Sequence, residues 1–168
     1  MSSSIQKQTQ SQTQNPQQHI FIKCILIFIL YILFDLPFLY YNADKYKKET
    51  LAISNKPYTK RYYSAVAVYV ALTIGIVVLV LPRINIESAS TNKANNALSS
   101  DIVSNIIKKS ILYGGIFGLT AYATFDFTTH FMFEGWTLRT SIIDTIWGGV
   151  LSSIVTILIS LITVKYLL

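Results

Sequence analysis

Three aspartates lie within or at the edge of long apolar segments of this chain: Asp35, Asp126 and Asp144. A carboxylate is costly in hydrocarbon, so acidic residues in apolar helices usually face other helices and bind protons, cations or polar partners. His130 follows Asp126 by four residues, a spacing that would place an imidazole and a carboxylate on one helical face. Because a two-residue match is weak support for a metal site, we interpret His130 as an interfacial histidine and predict no metal.

Four apolar segments must position these aspartates, and each is of a length that crosses a bilayer. A helix rises about 1.5 Å per residue, so about 20 residues cross a hydrocarbon core of about 30 Å. A backbone in hydrocarbon must satisfy its own hydrogen bonds, and the dyad alternation of a membrane strand is absent from the sequence. The sequence predicts an all-α integral membrane protein, an antiparallel bundle of four transmembrane helices. The predicted spans are residues 20–41, 62–82, 108–130 and 141–166.

The composition supports a membrane protein with one domain. Hydrophobic residues make up 52% of the 168 residues and charged residues 13%, against about 25% charged residues in soluble domains. The net charge of +6 comes from cations beside the apolar segments, so we expect a lipid bilayer as partner and no nucleic acid. Residues 1–19 are rich in Gln, Ser and Thr and predict a disordered tail, which leaves residues 20–168 as the transmembrane domain.

The predicted topology brings the three aspartates to one depth. Asp35 and Asp126 lie near the ends of the first and third spans, and Asp144 lies near the start of the fourth. An odd-numbered span ends on the side where the following even-numbered span begins, so all three lie in the same leaflet. We therefore predict a shared polar site on the side of the connection at 42–61.

Small and aromatic residues repeat every four positions beside these aspartates. Such rows lie on one helical face, and rows of small residues let helix backbones approach closely. The repeats predict that Asp126 and Asp144 face neighbouring helices. The expected packing residues are Gly114, Gly118, Gly148 and Ser152, and the other expected members of the polar site are Tyr31, Tyr122 and Thr128.

Two segments resemble a family of bacterial membrane proteins, the domain-of-unknown-function 2177 family. They are FDLPFL at 34–39, where Phe38 replaces a Trp, and YATFDFTTHFMFEGWTLRTSIIDTIWGG at 122–149. The preceding YGGIFG at 113–118 and Tyr46 also fit. The resemblance implies four spans and includes the three aspartates, and it implies no particular activity. Thr129 and His130 depart from the family pattern.

Three functions are compatible with this sequence. The carboxylates could bind a proton or cation in transport, which in so small a protein favours a homo-oligomer. They could instead specify helix packing in a non-catalytic assembly protein. As a third alternative, they could serve a membrane-embedded enzyme acting on a lipid or another apolar substrate, although no nucleophile elbow, phosphate loop or His-rich set supports this. Whether the protein uses a cofactor is not determined by the sequence. The 14 Lys and Arg divide equally between the two sides, and the dense cations at 42–61 favour a cytoplasmic position for that connection.

Overall fold

A computed structural model describes residues 16–56, 59–84 and 100–167, and these residues form four long helices. Helix α1 is Pro16–Ser54, and α2 is Tyr62–Ile84 with a π-helical turn at Ile76–Val80. Helix α3 is Ser100–Met132, and α4 is Leu138–Ile162 followed by a π-helical turn at Thr163–Leu167. All four are long and apolar enough to cross a membrane, which confirms the predicted fold class.

The bundle exposes apolar side chains on its outer surface, as expected where lipid replaces water. Large exposed residues occur on every helix, including Leu33, Val78, Ile116 and Ile146. A soluble protein rarely exposes so extensive an apolar surface. Residues 1–15 of the predicted disordered tail lie outside the described residues, whereas residues 16–19 of that tail are helical and belong to α1.

Helices α3 and α4 pack through residues that lack bulky side chains. A Cβ atom added to Gly114 would lie 2.9 Å from the backbone oxygen of Ser152, and one added to Gly118 would meet the backbone oxygen of Gly148. A Cβ atom on Gly148 would overlap the ring of Tyr122. The two backbones therefore lie in close contact, which aligns the polar residues at the adjoining ends of both helices.

The first part of the polar connection predicted at 42–61 is helical and does not form a loop. Helix α1 continues without interruption to Ser54, well beyond its apolar segment. It ends at Asn55, whose positive φ of 53° and backbone N–H donation to Leu51 O at 2.9 Å form a helix C-cap. Nearby, a Cβ on Gly135 would lie 2.9 Å from Ile53 Cγ1, so the α3–α4 loop packs directly on this extension. This tertiary contact explains why a polar segment remains helical.

Helix α2 has different neighbours along its length. Its first half, Tyr62–Gly75, packs mainly against α1, whereas Ile76–Ile84 packs against α3 and α4. At the boundary, Gly75 lies against the ring of Phe117, which leaves no room for a side chain there. The bundle is therefore closed around the second half of α2 and more open around the first half.

Candidate functional site

A cavity of about 490 Å³ lies at the more open end of the bundle, and all four helices contribute to it. Asp35, Asp126 and Asp144 all line it. The remaining walls are formed mostly by aromatic and aliphatic side chains. These are Phe38, Leu39, Tyr46, Thr50, Ala65, Val68, Tyr69, Leu72, Ala121, Tyr122, Phe125 and Trp136.

Asp35 is hydrogen-bonded on both oxygens by two other helices. The side chain is 5% exposed, Oδ1 accepts from Trp147 Nε1 at 2.8 Å, and Oδ2 accepts from the Tyr69 hydroxyl at 2.9 Å. Phe38 stacks on Trp147 with ring centroids 4.5 Å apart and an interplanar angle of 7°. Asp35 thus joins α1 to α2 and α4, and its acceptor oxygens are matched by neutral donors.

Asp144 accepts a hydrogen bond from the extension of α1. The Tyr46 hydroxyl donates to Asp144 Oδ1 at 2.8 Å. The ring of Tyr46 also stacks near Trp136, with centroids 6.1 Å apart and an interplanar angle of 10°. These contacts close the end of the cavity on the side of the α3–α4 loop.

Asp126 differs from the other two aspartates because its carboxylate is buried without a matching donor. The residue is 1% exposed, and neither carboxylate oxygen has a hydrogen-bond partner among the described residues. Its backbone oxygen does accept from Ser141 Oγ at 3.1 Å. The indole N–H of Trp136 lies close enough to stabilise the Asp126 carboxylate, but within the described part of the chain the pair does not reach normal hydrogen-bond geometry. An ionised carboxylate in such a place carries a large desolvation cost.

Lys45 and Glu49 add charge to the same end of the bundle. Lys45 Nζ is buried, has no hydrogen-bond partner in residues 16–56, 59–84 and 100–167, and interacts electrostatically with Asp126 and Asp144. Glu49 Oε1 accepts from Thr137 Oγ1 at 2.9 Å and from Thr140 Oγ1 at 2.5 Å. Glu49 therefore lies at the N-terminus of α4, where the helix dipole favours negative charge.

The sequence reasoning missed these residues because it treated 42–61 as a connection. The spacing offered a signal, since Phe38, Asn42, Tyr46, Glu49 and Ile53 recur every three or four positions, and the structure shows that they are less exposed than most of their neighbours. Such spacing indicates one buried helical face that continues past the apolar segment.

The other predicted site residues are divided between the cavity and its surroundings. Tyr122 lines the cavity and packs on Gly148. Tyr31 is fully buried one turn from Asp35, and its hydroxyl lies 3.0 Å from Ser152 Oγ, a contact between α1 and α4. Thr128 is exposed and is not part of the cavity lining. His130 Nδ1 lies 2.7 Å from the backbone oxygen of Trp136, within the α3–α4 loop.

Four apolar helices around buried polar side chains define a multi-pass integral membrane protein. A family model described as "Predicted membrane protein (DUF2177)" matches residues 20–161, so the chain belongs to this family. That match confirms the resemblance seen in the two sequence segments. Comparisons with curated proteins and with solved structures give no match.

Proposed function

We propose that the cavity binds a proton or a cation at Asp126 and Asp144 as a step in membrane transport. The observation that carries this proposal is the state of Asp126, a carboxylate that lines the cavity and is 1% exposed. Neither of its oxygens accepts a hydrogen bond of normal geometry from the described residues, and the Trp136 indole N–H lies close enough only to interact weakly with the carboxylate. Intramembrane acids of this kind commonly hold a proton or cation, because the neutralised form is far cheaper to bury.

The balance of buried charge supports the same proposal. Asp126, Asp144 and Glu49 carry three negative charges when ionised, whereas Lys45 supplies one positive charge to this cluster. Like charges in a medium of low dielectric constant disfavour joint ionisation. A bound proton or cation would reduce the excess negative charge, and Lys45 would act as a tethered cation that competes for the same carboxylates.

Asp35 supports a second candidate function, a structural role in assembly of the bundle. Both of its oxygens are occupied by Trp147 and Tyr69, so it connects three helices through neutral donors. If all the buried acids served this purpose, replacement of Asp126 would disturb assembly. In the transport proposal, Asp35 positions the helices and Asp126 exchanges the proton or cation.

The test is a flux measurement in liposomes containing the purified full-length chain and a trapped pH-sensitive dye. At least one imposed gradient of H⁺, Na⁺, K⁺ or an organic cation should cause a dye response with the wild-type protein, and Asp126→Asn should abolish the protein-dependent response. Asp101→Asn is a matched control, because Asp101 is exposed in the first turn of α3. Equal responses in wild type and Asp126→Asn would overturn the proposal, as would the absence of any protein-dependent response. Cross-linking in the same liposomes tests the expected homo-oligomer.

A further inference from the structure

We infer that the ligand of this cavity is a lipophilic organic cation that enters from the bilayer, with Asp126 as its counter-charge. This inference rests on the proposed function, because it assigns a chemical class to the cation bound at the same site. It is carried by the volume of the cavity, the chemistry of its walls and the position of its opening.

The volume exceeds what a proton or a single inorganic ion would fill. A water molecule occupies about 30 Å³ in the liquid, whereas this cavity measures about 490 Å³. Pockets for organic ligands typically measure about 300–1,000 Å³ and have mainly apolar walls with a few polar groups. The cavity has both properties, since its carboxylates are separated by aromatic and aliphatic side chains.

Aromatic side chains form a large part of the cavity walls. Six aromatic side chains line the cavity, namely Phe38, Tyr46, Tyr69, Tyr122, Phe125 and Trp136. Aromatic faces attract organic cations through the ring quadrupole, most strongly where water is excluded. A divalent inorganic cation would need about six oxygen ligands, and no group of three His, Cys, Asp or Glu in the described residues could hold a metal ion. The wall chemistry therefore favours an organic cation.

The cavity opens toward lipid between the first half of α2 and α3. Two of its lining residues are largely exposed on the outer surface, Val68 at 54% and Phe125 at 64%. Ile76–Ile84 closes the other end by packing on α3 and α4. A ligand with an apolar body could reach Asp126 from the bilayer through this opening.

The experiment measures binding of radiolabelled tetraphenylphosphonium to the purified full-length chain in a neutral detergent. We expect saturable binding that excess Na⁺, K⁺ or neutral triphenylphosphine oxide fails to displace. Asp126→Asn should weaken binding by about thirtyfold or more, as expected when one partner of a buried charge pair is lost. Asp126→Glu should retain binding, and Asp101→Asn should match wild type. Val68→Trp, which narrows the opening without changing charge, should slow association.

Two results would overturn the inference. One is the absence of saturable tetraphenylphosphonium binding, and the other is equal affinity in wild type and Asp126→Asn. Should Asp126→Asn fail to fold, Asp126→Glu and Val68→Trp still test the inference. An unaltered rate of tetraphenylphosphonium association in Val68→Trp would exclude the lateral opening. The liposome assay keeps the two proposals separate. If K⁺, Na⁺ or proton flux depends on Asp126 but tetraphenylphosphonium does not bind, the proposed function stands and the organic ligand is excluded.

Discussion

Tyr46 donates a hydrogen bond to Asp144 at 2.8 Å, which joins the polar extension of α1 to the first turns of α4 across 98 positions of sequence. Tyr46 lies in a segment whose cations and anions place it outside the apolar spans. Its contact shows that this extension is part of the helical bundle and supplies one wall of the cavity.

Tyr46→Phe should therefore destabilise the protein. The substitution removes the hydroxyl that donates to Asp144 and leaves an oxygen of this buried carboxylate without its donor, at a cost of about 1–3 kcal/mol. Thermal unfolding in detergent should show a lower midpoint than wild type. Tyr41→Phe is the control, because Tyr41 is 88% exposed and should leave the midpoint unchanged. Equal midpoints for the two variants would contradict a stabilising role for this contact.

Replacing Asp35 and Asp126 by the same apolar residue should have opposite effects on stability. Asp35→Leu leaves the buried donors of Trp147 and Tyr69 without their acceptor, so we expect a loss of about 1–3 kcal/mol for each donor. Asp126→Leu removes a buried charge that accepts no hydrogen bond of normal geometry from the described residues, while Asp144 and Glu49 remain to neutralise Lys45. It should raise the unfolding midpoint. Thermal unfolding in detergent checks both variants. If both unfolding midpoints shift in the same direction, the predicted difference between the two carboxylate environments is wrong.

Lys45→Met should tighten the binding of an organic cation. Lys45 Nζ is a buried positive charge that interacts with Asp126 and Asp144, so it opposes a second cation at the same carboxylates. Its removal should increase tetraphenylphosphonium affinity by roughly tenfold, which corresponds to ~1.4 kcal/mol. Lys47→Met is the control, because Lys47 is exposed and pairs with Asp44 at 3.0 Å. Weaker binding in Lys45→Met would mean that Lys45 holds the site together instead of competing with the ligand.

Gly118→Ala should disturb the contact between α3 and α4 more than Gly115→Ala does. A Cβ at position 118 would overlap the backbone oxygen of Gly148, which cannot move without separating the helices. Overpacking of this kind costs about 1–3 kcal/mol. A Cβ at position 115 would instead lie 3.1 Å from Ser153 Oγ, the end of a side chain that can rotate. Thermal unfolding of both variants checks the prediction, and equal loss of stability would contradict it.

Residue 54 should be accessible from the cytoplasmic side. The cations clustered at 42–61 favour that side, where positive residues flank membrane spans. In a Cys24→Ser background, Ser54→Cys should react with an impermeant maleimide only after the cytoplasmic face is opened. Ser90→Cys, in the connection between the second and third spans, is the control and should react in intact cells. Labelling of Ser54→Cys in intact cells would reverse the orientation.

The four helices and the common depth of Asp35, Asp126 and Asp144 could be predicted from the sequence alone. Length and hydropathy determine which segments cross a bilayer, because a backbone in hydrocarbon must be helical. Alternation of helix direction then relates the end of one span to the beginning of the next without any tertiary information. The small residues at Gly114 and Gly148 similarly carry their packing signal in their spacing.

Only the tertiary structure distinguished the aspartates from one another and showed that Lys45 and Glu49 lie at the same end of the bundle. Asp35 and Asp126 are the same residue type near the ends of their apolar segments, yet Asp35 accepts hydrogen bonds from two other helices while Asp126 accepts none of normal geometry from the described residues. Those donors come from positions 34 and 112 residues away, and their alignment depends on helix rotation. Hydropathy averages over such rotations, because it records how apolar a segment is and not which side chains its polar residues meet.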